Sequence, residues 1–246
     1  DEFDHDSTSE PMIIDEVFEG ELRKMIVHVS RNGHVYAMDR ETGDFLWAGE
    51  YTRVNWALRD ESGKPVLKEE LYNPASTVVF PGIFGGKNWP PASYSPDTHM
   101  LYIPTTEWGT TFIRREGEGR SGTMYLGGIP RFEPSGTGYL VAFNMLTGEI
   151  EWQEETPGNF NWAGTLTTGG GLVFSGAADG YLRAYNDETG EVLWEFQTGS
   201  GLYAPPTSFT IDGKQYIGIA SGTRDPVTRA GVATGIAPGN YILFSL

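Results

Sequence analysis

GYLRAYNDETGEVLW, from Gly180 to Trp194, holds the pattern on which the fold turns. Apolar residues alternate with others up to Tyr185, the chain then meets Asn-Asp-Glu-Thr-Gly, and a second alternating run closes on Trp194. Period-two alternation argues for two strands instead of a helix, and a Gly at the end of the turn takes positive φ without a Cβ penalty. The same pattern occurs at GHVYAMDRETGDFLW (Gly33 to Trp47) and at GYLVAFNMLTGEIEW (Gly138 to Trp152). Gly43, Gly148 and Gly190 hold one place in the three copies, and Asp39, Asn144 and the Asn186/Asp187 pair offer side chains that bond back to the turn. From Trp152 to Trp194 is 42 residues, the length of one four-stranded propeller blade. The 105 residues from Trp47 to Trp152 leave two blades' worth of chain and a long insertion, with SYSPDTHMLYIP (Ser93 to Pro104) as a degenerate copy. A Trp that closes each unit can wedge its ring between adjacent sheets, so Trp47, Trp152 and Trp194 are read as packing residues. The expected class is all-β, a β-propeller of four-stranded blades, with residues 1–246 as one segment of roughly four to five blades.

Composition agrees with this reading. Of 246 residues, 39% are hydrophobic and 13% aromatic, enough for a core, while 33 Gly and 15 Pro break long helices and suit short strands. A net charge of −16 repels polyanions and anionic membranes, so no nucleic-acid partner is expected. Without Cys there is no disulfide frame, thiolate zinc site, iron–sulfur cluster or cysteine nucleophile, and the compartment is left open. No apolar run reaches about 18 residues and the chain opens on DEFDHDSTSE, so neither a membrane span nor a signal peptide is expected in it. His5, His28, His34 and His99 lack metal-ligand spacing and are read as satisfied surface residues, which argues against a zinc hydrolase. No Gly-x-Ser-x-Gly elbow or phosphate loop occurs, and Gly169 to Gly171 read as a hairpin turn. The acidic groups Glu116 to Glu118, Glu154 with Glu155, and Asp187 with Glu188 read as solvated faces, or as a field that steers a basic partner. GNYILFSL (Gly239 to Leu246) reads as a strand of the kind that closes a propeller ring. No matching strand precedes Met12, so upstream blades are expected to be missing.

The repeats, together with HVSRNGHVYAMDRETG (His28 to Gly43), GGKNWPPASYSP (Gly85 to Pro96) and the run from Asn161 to Phe196, resemble the PQQ-dependent alcohol dehydrogenases. That resemblance implies the C-terminal half of an eight-bladed quinoprotein propeller that oxidises a primary alcohol by hydride transfer to pyrroloquinoline quinone (PQQ). It implies Asp4 as the catalytic base and, with Asp6, as a metal ligand. A carboxylate beside a hard cation suits the removal of a hydroxyl proton. The second acid of the Asp-x-Asp pattern resembles lanthanide-using members but also occurs in relatives that use calcium, so Ca²⁺ and a lanthanide both stand; Phe3 and Ser7 depart from the commoner Trp and Gly. Arg31 is implied as the arginine that binds the quinone oxygens, where a fixed cation stabilises developing negative charge. Its alternative is a surface arginine on a turn. Asn88 and Trp162 are implied as cofactor contacts, against a turn cap and one more wedge; Trp89 is read as pocket wall. The implied partners are a small alcohol and cytochrome c, and the implied location is periplasmic. In the family the other cofactor and metal ligands come from the N-terminal half, so the 246 residues alone are expected to be inactive. The competing reading is a non-catalytic binding or scaffold propeller of the outer-membrane assembly type, since fold alone does not give function.

Overall fold

The structure, a computed structural model, describes residues 3–18, 20–68, 77–114, 117, 119–123, 128–222 and 239–245. Every regular element longer than a turn among these residues is a strand. The chain divides into two compact units, residues 1–86 with 107–136, and residues 87–106 with 137–246.

In the first unit β1 (Met12–Phe18), β2 (Glu21–Val29), β3 (His34–Asp39) and β4 (Phe45–Glu50) form an antiparallel meander in that order. A hairpin of β5 (Ala57–Arg59) and β6 (Pro65–Leu67) follows, then β7 (Val78–Val79). The chain next gives β8 (Ser93–Ser95) and β9 (Met100–Glu107) to a sheet of the second unit, while β10 (Thr110–Arg114) and β11 (Gly128–Phe132) join β7 in the order β11-β10-β7. β12 (Thr137–Asn144) and β13 (Ile150–Thr156) complete the sheet β13-β12-β9-β8. A meander of β14 (Thr165–Thr168), β15 (Leu172–Gly176), β16 (Tyr181–Asn186) and β17 (Val192–Gln197) comes next. The three strands β18 (Thr207–Ile211), β19 (Lys214–Ser221) and β20 (Asn240–Ser245) end the series.

The three repeats fold alike for local reasons. Asp39 Oδ1 accepts the N–H groups of Glu41 and Thr42, Asn144 Oδ1 those of Leu146 and Thr147, and Asn186 Oδ1 those of Glu188 and Thr189. Gly43, Gly148 and Gly190 then donate to the carbonyls of Asp39, Asn144 and Asn186, with φ of 80°, 73° and 76°. Each side-chain acceptor fixes the turn through bonds local in sequence. In each copy a small residue lies across the ladder from the Trp, as Ala37 opposite Trp47, Ala142 opposite Trp152 and Ala184 opposite Trp194, and the register shifts just after it. The bulge strengthens the local twist of the outer strand.

Both units have cores. Phe3 and Val79 are packed by Trp56, Leu67 and Phe112 in the first. In the second, Tyr102, Leu140, Ala142, Val173 and Tyr185 pack with Trp152, and Phe174, Leu182, Leu202, Ile217 and Ile219 form another cluster. Each large apolar side chain so buried contributes roughly 1.5–3 kcal/mol.

Candidate active site

From Phe3 to Asp6 burial alternates: Phe3 and His5 are buried, Asp4 and Asp6 exposed. The Phe3 ring lies 5.4 Å from Phe112, and the His5 ring lies 6.0 Å from Trp56. His5 Nε2 donates to the Pro81 carbonyl at 3.0 Å, which fixes its tautomer. Burial drives the His5 pKa down to about 4, so the ring is neutral at pH 7. Two buried rings thus clamp the segment and leave both carboxylates outward. Asp4 has φ of 60°, a left-handed conformation that Asp tolerates better than most residues but that still costs about 1 kcal/mol. Strain of this kind concentrates where a side chain must be aimed.

Arg31 sits on the tight turn between β2 and β3. Its N–H donates to Ser7 Oγ at 3.0 Å, the Ser7 and Ser30 hydroxyls are 2.9 Å apart, and Tyr51 donates to the Ser30 carbonyl at 2.6 Å. These bonds tie the turn to the opening segment. The guanidinium reaches the same segment: Nη1 donates to the Asp6 carbonyl at 3.2 Å, Nη2 donates to the Ile83 carbonyl, and Nη2 lies 3.5 Å from Asp4 Oδ2. The Arg31 side chain is only 11% exposed, whereas that of Asp4 is 49% exposed. Arg31 is therefore no surface arginine on a turn. Its Nε is buried and has no hydrogen-bond partner, an unmet donor in an otherwise engaged planar fork. Gly85 makes the arrangement possible, because a Cβ there would stand 2.8 Å from Arg31 Cβ.

Asp4, Asp6 and Arg31 thus come together in the first unit, Asp6 through its main chain. Asn88 and Trp162 lie in the second. Asn88 Oδ1 accepts the Trp89 N–H at 2.9 Å, the use expected of a turn cap, and Trp89 is exposed. Trp162 is half-buried with its ring 4.7 Å from Phe160. Beside Asn88, Lys87 is a fully buried cation that donates to the Asn88 carbonyl at 3.3 Å. No spacing rule singled out Lys87, Ser7 or the Ile83 carbonyl, since their roles come from tertiary contacts.

Two readings are corrected by burial. His5 and His34 are not surface residues, because the aromatic rings of Trp56, Phe3 and Tyr36 enclose them. Asp187 is buried rather than part of a solvated acidic face, and its carboxyl is pushed up, chiefly by burial and then by Glu188. Glu154, Glu155 and Glu188 are exposed as read, while Glu116 and Glu118 lie outside the described residues. Among the described residues no group of three His, Asp or Glu forms a metal cage.

Residues 138–217 match the family model described as PQQ glucose/ethanol/alcohol dehydrogenase, beta-propeller domain. A quinoprotein ethanol dehydrogenase of Pseudomonas aeruginosa is 34% identical over 240 residues, which are 90% of this chain and 38% of that protein. Among solved structures, a quinohemoprotein alcohol dehydrogenase of Pseudomonas putida HK5 is similar with a TM-score of 0.83 at 30% identity, over 90% of this chain and 35% of that one. A europium-containing methanol dehydrogenase is similar with a TM-score of 0.82 at 31% identity, over 90% and 40%. The chain spans about two-fifths of the length of the curated relatives it matches. The resemblance to the PQQ-dependent alcohol dehydrogenases and the all-β propeller class are both borne out.

Proposed function

We propose that this chain is the part of a PQQ- and metal-dependent alcohol dehydrogenase that carries the proton-accepting aspartate. One observation supports the reading above the others: Asp4 lies 3.5 Å from a buried Arg31 whose Nε has no partner. That unmet N–H suits an electron-rich oxygen, which fits a quinone. Asp4 and Asp6 are hard oxygen donors that fit part of the shell of Ca²⁺ or a lanthanide.

When bound, PQQ supplies the two-electron acceptor and the cation supplies Lewis acidity. Asp4 accepts the hydroxyl proton of a primary alcohol at a carboxylate oxygen, which its exposure leaves open to substrate. Arg31 holds Asp4 in place and keeps one N–H for the cofactor's oxygens, fixed by the Asp6 and Ile83 carbonyls. The Asp6 carboxylate adds a second anionic ligand, and Asn88 and Trp162 add a polar and an aromatic contact to the cofactor. Electrons leave to cytochrome c in the periplasm. Residues 1–246 form a propeller segment, with the remaining ligands on further blades of the same enzyme, and are inactive alone.

Substitution of Asp4 by Asn in the full-length enzyme tests the assignment. Turnover falls by about 10²–10⁴ while PQQ uptake, read by absorbance, is retained. Unchanged turnover would show that another group takes the proton. Asp6→Ala separates the ions: lanthanide-supported activity is lost and calcium affinity less affected, whereas equal loss for both removes Asp6 as a lanthanide ligand.

A further inference from the structure

Arg31 is held at both ends. Its guanidinium donates to the Asp6 and Ile83 carbonyls, and its own carbonyl accepts the Gly86 N–H at 2.8 Å. Its main-chain N–H donates to Ser7 Oγ at 3.0 Å, so two consecutive residues, Asp6 and Ser7, grip the side chain and the main chain of one arginine. Asp6, Ile83 and Gly86 make these contacts with main-chain atoms, which survive a change of side chain. Among the described residues, Ser7 supplies the one side chain that hydrogen-bonds Arg31, while Asp4 stands 3.5 Å away as an ion pair.

The surroundings of the Ser7 hydroxyl fix which way its bonds run. Ser7 Oγ lies 2.9 Å from Ser30 Oγ, which in turn accepts the Asn32 N–H at 3.4 Å. The two hydroxyls carry two hydrogens and share one bond, so one O–H is left over. Ser30 is buried and Ser7 is exposed, and a leftover donor is costly when buried but costs little where water can reach it. Ser30 therefore donates to Ser7, whose oxygen accepts two bonds, one from the Arg31 N–H and one from the Ser30 hydroxyl. Tyr51 anchors Ser30 in turn by donating to its carbonyl at 2.6 Å. A methyl group at position 7 would orphan the Arg31 N–H and the buried Ser30 hydroxyl together. A glycine there could make neither bond.

We propose that Ser7 is a positioning residue for the reaction: its hydroxyl locks the turn that carries Arg31 onto the segment from Asp4 to Asp6, and so sets where the guanidinium meets the quinone. The proposal rests on the redox reading above and adds to it a residue that touches neither substrate nor cofactor.

Ser7→Ala and Ser7→Thr in the full-length enzyme test it. Without PQQ, hydrogen exchange of a peptide spanning residues 28–34, read by mass spectrometry, speeds about tenfold in Ser7→Ala and keeps the wild-type rate in Ser7→Thr, while peptides from β1 and β4 are unchanged. With PQQ bound, Ser7→Ala lowers kcat about tenfold and leaves the KM for the alcohol little altered, whereas Ser7→Thr retains the wild-type kcat. The quinone's midpoint potential in Ser7→Ala moves negative by about 30 mV, the equivalent of tenfold for a two-electron couple, because a misplaced Arg31 stabilises the reduced, negative form less. Wild-type exchange at residues 28–34 in Ser7→Ala, faster exchange across the whole sheet, or an unshifted potential each overturn the proposal. An Asp4→Asn enzyme with full turnover would overturn the redox reading itself, and the exchange measured without PQQ keeps the two failures apart.

Discussion

The guanidinium of Arg31 owes its position to a residue without a side chain. Gly85 has φ of 76°, and a Cβ there would meet Arg31 Cβ at 2.8 Å and the Arg31 carbonyl oxygen at 3.0 Å. Gly85→Ala therefore combines an unfavourable left-handed backbone with a clash against main-chain and near-main-chain atoms that cannot swing aside. It should cost about 2–3 kcal/mol in urea unfolding, and in the full enzyme it should lower turnover with Arg31. A neutral Gly85→Ala change would show that the turn carrying Arg31 is loose. His34 gives a pH signature at the same scale. Its side chain is fully buried, and Glu50 Oε1 is 3.8 Å away. Burial, then the charge of Arg59, brings its pKa from 6.5 down to about 4. Between those values the unfolded chain binds a proton that the folded chain refuses. Stability is thus highest above pH 6.5 and declines as pH falls toward 4, by about 1.4 kcal/mol per unit and about 3 kcal/mol in all. Unfolding midpoints of the wild type and His34→Gln, compared at pH 7 and 4.5, should converge toward low pH. Parallel pH slopes would remove His34 as the source.

At the scale of elements, the three Asx-x-x-Thr-Gly turns look interchangeable in sequence and are not so in the fold. Gly148 and Gly190 have φ of 73° and 76°, but a Cβ meets nothing within 4 Å at Gly148 and meets Trp152 at 2.9 Å at Gly190. Gly148→Ala should cost about 1 kcal/mol, from backbone conformation alone, and Gly190→Ala about 3 kcal/mol, because the indole must also leave its seat. Equal losses in urea unfolding would mean that Trp152 is held by its neighbours in the core and not by the turn. The turns themselves were legible because every bond that makes them lies within five residues: Asx side chain, Thr hydroxyl and Gly. Which glycine bears an indole was not legible, since Trp152 and Gly190 are 38 positions apart and meet only through sheet packing. Burial of His5 and Asp187 was hidden for the same reason. Polar residues are expected outside, and nothing near them in sequence announces Trp56 over the one or the stacked sheet around the other. The pairing of Asp4 with Arg31 was reachable only through the family resemblance, because 27 residues and two strands separate them.

Across the 246 residues as a whole the governing quantity is a net charge of −16. Part of it is exposed on one unit, where Glu149, Glu151, Glu154, Glu155, Glu188 and Glu191 are all open to solvent. Charges of one sign raise the local concentration of a partner of the other sign and speed its encounter, with little effect on the contacts finally made. If a basic cytochrome c receives the electrons, its second-order reduction rate should be governed by this field. The range of the field shrinks from about 30 Å at 0.01 M ionic strength to about 3 Å at 1 M. The rate measured with the full, cofactor-loaded enzyme should then fall about tenfold or more across that interval, while reduction of an uncharged dye changes little. The two acceptors separate steering from a salt effect on the enzyme itself, because under the proposed function alcohol oxidation precedes both. Reversal of Glu154 and Glu155 to Lys should flatten the cytochrome slope and leave the dye rate alone, since both carboxylates are exposed. A cytochrome rate that ignores salt would place electron transfer on a neutral surface and reduce the acidic residues to a device for solubility.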